Sequence, residues 1–118
     1  MRNFNSLKKN SDFQKVYKTG KSYANKYLIM YVMKNETPGR RIGISVSKKV
    51  GNSVVRHHIT RLVREIFRLN ENILETGLDI ITVARPAIKD QDYKTIESAF
   101  MHLCGLHNIK KNRSDLID

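Results

Sequence analysis

Positive charge recurs along one stretch of the chain, residues 45–68, which reads SVSKKVGNSVVRHHITRLVREIFR. Six Lys and Arg side chains occupy this stretch, and only one acidic side chain does. Residues three or four positions apart lie on the same face of a helix. His57, Arg61, Arg64 and Arg68 are separated by four, three and four positions, so they would share one face. Because like charges repel at that spacing, the pattern favours a polyanionic partner and is typical of a surface that contacts phosphates.

The segment SKKVGN, residues 47–52, precedes the expected start of this helix. Lys48 and Lys49 follow a predicted strand, and Gly51 permits a positive φ angle. Backbone N–H groups and the helix dipole at the start of a helix favour an anion. The segment lacks the glycine spacing of a P-loop, so an anion site and a simple chain turn both stay open.

Three aromatic residues lie where they could meet a nucleic acid. Phe13 and Tyr17 are four residues apart on a predicted helix, and Tyr31 lies in a predicted strand. Single-stranded RNA is often held by aromatic stacking beside a basic track. For each of these residues taken singly, periodicity favours core packing, and stacking stays open as the alternative.

Groups suited to catalysis or metal binding are scattered. His102, Cys104 and His107 are close in sequence, but their spacing matches no zinc site and the two histidines diverge on a helix. No Ser–His–Asp set and no pair of carboxylates suited to general acid–base chemistry is recognisable. We therefore expect a binding protein with no catalytic residue of its own and no metal site in the protein alone.

The whole chain is strongly basic. Its 118 residues carry 22 Lys and Arg against 11 Asp and Glu, a net charge of +11. This excess favours nucleic acid or an anionic membrane as the partner, and makes phosphate binding a better account of residues 45–68 than a solvated face. The single cysteine excludes an intramolecular disulfide.

Length and hydropathy indicate one soluble domain over residues 1–118. No run of about 18 apolar residues predicts a membrane span, and the N-terminal residues lack the apolar run of a secretory signal. We therefore expect a cytoplasmic protein that makes no use of a membrane.

Hydrophobic periodicity predicts an α+β protein with the order α-β-β-α-β-α. The predicted elements are a helix from Asn10 or Ser11 to Gly20, strands at 27–33 and 41–47, a helix over about 53–72 capped by Asn52 or Ser53, a strand at 78–84 and a helix over about 91–106. The turn NETPGR predicts that the first two strands form a hairpin. Residues 1–9 are expected to form a basic arm, and residues 107–118 a frayed polar tail.

The central helix is expected to bury an apolar stripe formed by Val55, Ile59, Leu62, Val63, Ile66 and Phe67. The strand–helix–strand unit around it, from Ile42 to Ala84, predicts two parallel neighbouring strands joined by a crossover. General statistics favour a right-handed crossover.

The stretch GISVSKKVGNSVVRHHITRLVREIFR resembles the signature of the bacterial ribonuclease P protein subunit. The positions that match the pattern are Gly43, Ser45, Val46, Ser47, Lys48, Lys49, Gly51, Asn52, Val54, Arg56, Arg61, Arg64 and Glu65. The resemblance extends to KKNSDFQKVYKTGKS, ANKYLIMY and DIITVARPA, and so covers nearly the whole chain.

This resemblance implies a function and a fold. Proteins of the family partner a catalytic RNA that cleaves the 5′ leader from precursor tRNA, with chemistry performed by the RNA and its Mg²⁺ ions. The protein assists leader binding, substrate discrimination and metal affinity. The implied fold is an α/β sandwich similar to a domain of a ribosomal protein, with a left-handed crossover that replaces the statistical expectation.

The resemblance also implies roles for particular residues. It places Phe13, Tyr17, Tyr31, Ser47, Lys48 and Lys49 in a cleft for the 5′ leader. It places Arg56, Arg61 and Arg64 on a helix that faces the catalytic RNA, and the charge pattern adds Arg68, His57 and His58. This chain has His57, His58 and Thr60 where the family usually has Asn, a basic residue and Lys. A neutral His cannot make the forked contact of an Arg.

Three other functions fit the sequence less well. A ribosomal-type structural RNA-binding protein would share the composition and fold, but not the SVSKKVGN signature. A stand-alone nuclease is disfavoured because no acid–base set is recognisable. A membrane-surface protein is disfavoured because the helix carries its charge opposite an apolar face that the core needs.

Overall fold

A computed structural model describes residues 5–111 of the chain. It has five strands and three α-helices: β1 (Asn5–Ser6), α1 (Asn10–Thr19), β2 (Lys21–Ala24), β3 (Leu28–Lys34), β4 (Arg40–Ser45), α2 (Ser53–Asn70), β5 (Leu78–Ala84) and α3 (Tyr93–Leu106). The strands form one mixed sheet in the order β1-β4-β5-β3-β2. The predicted α+β class is confirmed.

The sheet separates two apolar clusters, because alternate residues of a strand point to opposite faces. On one face, α2 and α3 cover the larger cluster, which includes Ile80 of β5, Phe67 and Phe100. On the other face, α1 covers a smaller cluster built around Val16 and Ile81. The architecture is therefore a sheet sandwiched between one helix and two.

The predicted hairpin between the first two long strands is wrong, because β5 lies between β3 and β4. β5 pairs antiparallel with β3 and parallel with β4. Its sequence LDIITVA is buried at six of seven positions, since helices cover both faces. A strand that is apolar on both faces is stabilised most by burial at the centre of a sheet. This burial, rather than the turn between β3 and β4, decided which strands pair.

The predicted strand–helix–strand unit is present, since α2 joins β4 to the parallel neighbour β5. Asn52 caps α2, and its side chain accepts a hydrogen bond from the Val55 N–H at 3.0 Å. The buried stripe of α2 comprises Ile59, Val63, Ile66 and Phe67. The left-handed sense of the crossover stays a prediction.

Two edge strands, β1 and β2, were not predicted from the sequence. β1 pairs in parallel with β4, so residues 5–6 of the predicted arm belong to the sheet. β2, with the sequence KSYA, pairs antiparallel with β3 and has no buried residue. Such short, exposed strands lack a hydrophobic pattern to reveal them. Residues 1–4 of the predicted arm lie outside the described residues.

The prediction of a frayed tail is wrong for residues 107–111. The Ile109 carbonyl accepts a hydrogen bond from the Glu75 N–H at 2.7 Å, and the Lys111 N–H donates to the Ile73 carbonyl at 2.8 Å. The Ile109 side chain is buried. One apolar residue and two backbone bonds hold this segment to the loop before β5, while residues 112–118 lie outside the described part. Within residues 5–111, no helix has the length and apolar character needed to cross a membrane.

Candidate nucleic-acid interface

Phe13, Tyr17 and Tyr31 form one aromatic cluster between α1 and the sheet. The Phe13 and Tyr17 ring centroids are 6.3 Å apart, and the Tyr17 and Tyr31 centroids are 4.9 Å apart with the rings edge to face. All three side chains are only partly buried, and they pack against the smaller apolar cluster. Each ring therefore has one side on the core and leaves part of its surface to solvent, so packing and stacking do not exclude each other.

The floor of this aromatic cleft is formed by β4, at residues that the sequence analysis did not assign to the site. A Cβ atom on Gly43 would lie 2.6 Å from Cζ of Phe13, so only glycine lets this ring approach the strand. Burial raises the pKa of Tyr17, and the neighbouring Ser45 side chain on β4 offsets part of that rise. The alternation of small residues at 43 and 45 with isoleucines was the signal available in the sequence.

An ion pair holds α1 over this floor. Asp12, which precedes Phe13 on α1, lies 3.4 Å from an Nη atom of Arg41 on β4. Arg41, Gly43 and Ser45 alternate along β4 and so point to the same face. The strand that forms the floor of the cleft thus also anchors the helix that forms its wall.

The turn after β4 presents Ser47, Lys48 and Lys49 to solvent. The Ser47 hydroxyl accepts from the Lys49 N–H at 3.3 Å, and the Ser47 carbonyl accepts from the Val50 N–H at 3.0 Å. Val50 is buried and anchors the end of the turn. The two lysines therefore project from an ordered turn at the end of the strand that floors the cleft.

The expected reason for Gly51 is wrong, since its φ is not positive; within residues 5–111, Gly77 is the glycine with a positive φ. A Cβ on Gly51 would lie 2.8 Å from Cγ1 of Val55. Gly51 is therefore required by the close approach of the first turn of α2.

The outer face of α2 carries cations that no other described residue neutralises. Arg61 and Arg64 are exposed, and the side chain of neither makes an ion pair with residues 5–111. Arg68 differs, because its guanidinium binds Glu65, with Nε 3.0 Å from Oε2. This pair is exposed, so phosphate can compete with the carboxylate for Arg68.

The first turns of α2 hold the remaining predicted residues. Arg56 is partly buried, and its Nε atom has no hydrogen-bond partner among the described residues. His57 and His58 are exposed and line, with Val54 and Arg61, a shallow groove of about 530 Å³. The predicted basic residues of α2 thus lie along a single helix, but Arg56 is less accessible than Arg61 and Arg64.

The structure distributes the predicted residues over two surfaces. Phe13, Tyr17 and Tyr31 lie on the α1 face of the sheet, while α2 packs on the opposite face. The turn with Lys48 and Lys49 connects the two, since it leaves β4 and leads into α2. The molecule can therefore contact one strand of nucleic acid at the cleft and another on α2.

His102, Cys104 and His107, on α3 and at its end, have separate surroundings. Burial raises the pKa of Cys104 to about 12, so its thiol stays protonated. His102 contacts the Asn25 side chain, and His107 contacts the Met30 carbonyl instead. Residues 5–111 contain no group of three His, Cys, Asp or Glu side chains placed to hold a metal ion.

An α+β sandwich with an aromatic cleft, a cationic turn and an arginine-bearing helix defines a class of small basic proteins. The family model described as Ribonuclease P matches residues 1–107 of this chain. The chain belongs to the ribonuclease P protein family.

Relatives and solved structures agree with this membership. The "Ribonuclease P protein component" of Lachnoclostridium phytofermentans is 62% identical over 104 residues, which is 88% of this chain and 90% of that protein. The protein of the same name from Alkaliphilus metalliredigens is 53% identical over 103 residues, covering 87% and 93%. The RNase P protein structure from Staphylococcus aureus matches with a TM-score of 0.83 at 38% identity, over 90% of this chain and 97% of that one. The Thermotoga maritima structure matches with a TM-score of 0.78 at 32% identity, over 84% and 94%.

Proposed function

We propose that this chain is the RNA-binding subunit of ribonuclease P and assists a catalytic RNA in removing the 5′ leader from precursor tRNA. The observation that carries the proposal is the division of the site between the two faces of the sheet. One face has an aromatic cleft, and the other has Arg61 and Arg64, which have no ion-pair partner within residues 5–111. A protein that bridges a substrate strand and a second RNA needs two such surfaces.

The aromatic cleft suits a single strand. Unstacked bases can lie on the exposed parts of Phe13, Tyr17 and Tyr31, a contact that is tolerant of sequence because every base has a π face. Lys48 and Lys49, at the end of the same floor strand, suit the phosphates of that strand. These contacts are available to a precursor tRNA and are lost when the leader is removed.

The outer face of α2 suits the catalytic RNA. Arg61 and Arg64 present guanidinium groups with no competing partner among residues 5–111, and a guanidinium matches phosphate with two parallel hydrogen bonds. Each neutralised phosphate releases counterions, so assembly should weaken as salt increases.

The cleavage chemistry is assigned to the RNA with its Mg²⁺ ions. Mg²⁺ prefers oxygen ligands, above all carboxylates and phosphates. The cleft and α2 offer mainly aromatic, ammonium and guanidinium groups, so we assign the ions to the RNA and the substrate. By binding the leader and neutralising phosphates, the protein raises the affinity of the complex for substrate and metal. The chain would act in the cytoplasm, with ribonuclease P activity belonging to the complex.

Reconstitution tests this proposal. The chain is added to a bacterial ribonuclease P RNA and precursor tRNA at a Mg²⁺ concentration too low for the RNA alone to cleave. We expect cleavage at the 5′ end of the tRNA with both components and none with the protein alone. A protein that binds the RNA without restoring cleavage would instead have the role of a structural RNA-binding protein, and the proposal would be wrong.

A further inference from the structure

A shallow groove lies between the β2–β3 turn and the side of α3. It belongs neither to the aromatic cleft nor to the outer face of α2. Its volume is about 470 Å³, and its lining includes Lys26 and Tyr27 from the turn, with Lys94, Ser98 and His102 from α3. Because α3 packs on the same face of the sheet as α2, this groove and the aromatic cleft lie on opposite faces.

Asn25 makes the groove rigid by tying the turn to α3. Its Nδ2 donates to the Ala99 carbonyl at 2.9 Å and lies 3.2 Å from Nδ1 of His102. Its Oδ1 accepts the N–H groups of Tyr27 and Leu28, at 3.2 and 3.0 Å. With every polar group of the Asn25 side chain bonded, the groove is held in place before any ligand arrives.

Arg85, the residue after β5, adds to this rigidity. One of its Nη atoms donates to the Asn25 carbonyl at 2.8 Å, and its own N–H donates to the Tyr27 carbonyl at 2.9 Å. The β2–β3 turn is therefore fixed to both α3 and the end of β5.

The chemistry of the groove favours an anion. Lys26 and Lys94 are exposed at its two sides, and none of the lining residues is acidic. The nearby Asp92 carboxylate accepts the Thr95 N–H at 2.9 Å, as the cap of α3. His102 accepts from Asn25 through Nδ1, which leaves the N–H at Nε2 as a donor.

We propose that this groove binds the phosphodiester backbone of RNA as a third contact surface. The ammonium groups of Lys26 and Lys94 neutralise phosphates, while Ser98 and Thr95 supply hydroxyl groups for hydrogen bonds. An open groove with donors on both sides suits a continuing chain rather than an enclosed small ligand. The inference rests on the proposed function, which supplies two RNAs with such a backbone: the catalytic RNA and the precursor tRNA.

The test is the salt dependence of RNA binding by the variant Lys26→Gln/Lys94→Gln. Affinity is measured from low to moderate salt for a bacterial ribonuclease P RNA alone and, separately, for precursor tRNA. We expect the slope of log affinity against log salt to fall by about one to two units for at least one RNA, since each lost phosphate contact removes about 0.7–0.9. The RNA whose slope changes identifies the source of the backbone.

The matched control is Lys34→Gln/Lys110→Gln, which removes the same net charge. Both residues are exposed and lie at the other end of the sheet, since Lys34 pairs with Leu78 and Lys110 with Leu74. A groove variant that behaves like this control, or like the wild type, for both RNAs would overturn the inference. A wild-type protein that fails to restore cleavage would overturn the proposed function itself, so the two failures are distinguishable.

Discussion

Arg41 of β4 binds the fully buried carboxylate of Asp79 on β5 through two parallel hydrogen bonds, with Nε 3.0 Å from Oδ1 and Nη2 2.6 Å from Oδ2. The hydrogen bonds and charge of Asp79 raise the pKa of Arg41. Asn35 donates to the same carboxylate at 2.9 Å. Because the remaining Nη of Arg41 reaches Asp12, the partly exposed Arg41 links the buried carboxylate of Asp79 in the sheet to α1.

Asp12→Asn should affect the leader more than the fold. The Asp12–Arg41 contact is partly exposed, so its loss should cost no more than about 1 kcal/mol of unfolding free energy. Since Phe13 follows Asp12, a less firmly held α1 should lower the preference for precursor over mature tRNA. Urea unfolding and paired binding assays measure the two effects. As a contrast, Asp79→Ala removes a buried carboxylate that accepts hydrogen bonds from both Arg41 and Asn35, and should cost about 1.5–3 kcal/mol.

Phe13→Ala should weaken binding of precursor tRNA by roughly 1–3 kcal/mol and leave binding of mature tRNA nearly unchanged, because one stacked base is lost. Phe13→Leu is the matched control, since it keeps apolar packing on Gly43 but removes the π face. The two variants should lose leader binding together, while only the alanine variant loses much stability. An equal loss for precursor and mature tRNA would argue against stacking.

Arg61→Ala/Arg64→Ala should weaken assembly with the catalytic RNA and reduce its salt slope by about one unit per lost phosphate contact. Fluorescence titrations at several salt concentrations give the slope. Glu65→Gln is a useful comparison, because it frees Arg68 from its carboxylate partner and should strengthen assembly at low salt. An unchanged slope in the double variant would mean that this face of α2 is merely solvated.

His57 and His58 occupy positions where the family usually has Asn and a basic residue, and both are exposed beside Arg61. The variant His57→Asn/His58→Arg adds a permanent guanidinium group to this face and should strengthen assembly with the catalytic RNA at fixed salt. The slope of log affinity against log salt should rise by about one unit for the added phosphate contact. Fluorescence titration at several salt concentrations measures both effects. A variant that assembles like the wild type would mean that position 58 makes no phosphate contact.

His107 should make stability fall in acid. Burial lowers the pKa of His107, whose Nε2 lies 2.8 Å from the Met30 carbonyl and whose ring packs edge to face on Tyr23. The His107 ring therefore binds a proton more readily in the unfolded chain than in the folded one. The contribution of neutral His107 to the free energy of unfolding is complete above the unfolded pKa, near 6.5, and is lost as the pH falls below it. His107→Gln, which keeps a donor for Met30, should show a smaller loss of melting temperature between pH 7 and pH 5.

Local signals in the sequence predicted most of the elements. The stripe of α2 and its Asn52 cap depend on residues three and four positions apart, which are neighbours in any helix whatever the rest of the fold does. The same holds for the exposure of Arg61 and Arg64, because an apolar stripe leaves the opposite face to solvent. Arg56 lies near the edge of the apolar stripe and is partly buried, so its exposure did not follow from the helix pattern.

The sequence by itself therefore determined a basic α+β chain with an arginine-bearing helix, a cationic turn and three candidate aromatic residues. Only the tertiary structure decided that β5 separates β3 from β4 and that Gly43, Ser45 and Arg41 assemble the cleft. Strand order is a choice among non-local pairings, set by which strand can be buried on both faces, and periodicity within one strand carries no information about its neighbours. The groove at Lys26 and Lys94 arises in the same way, from residues far apart in the chain that the sheet brings together.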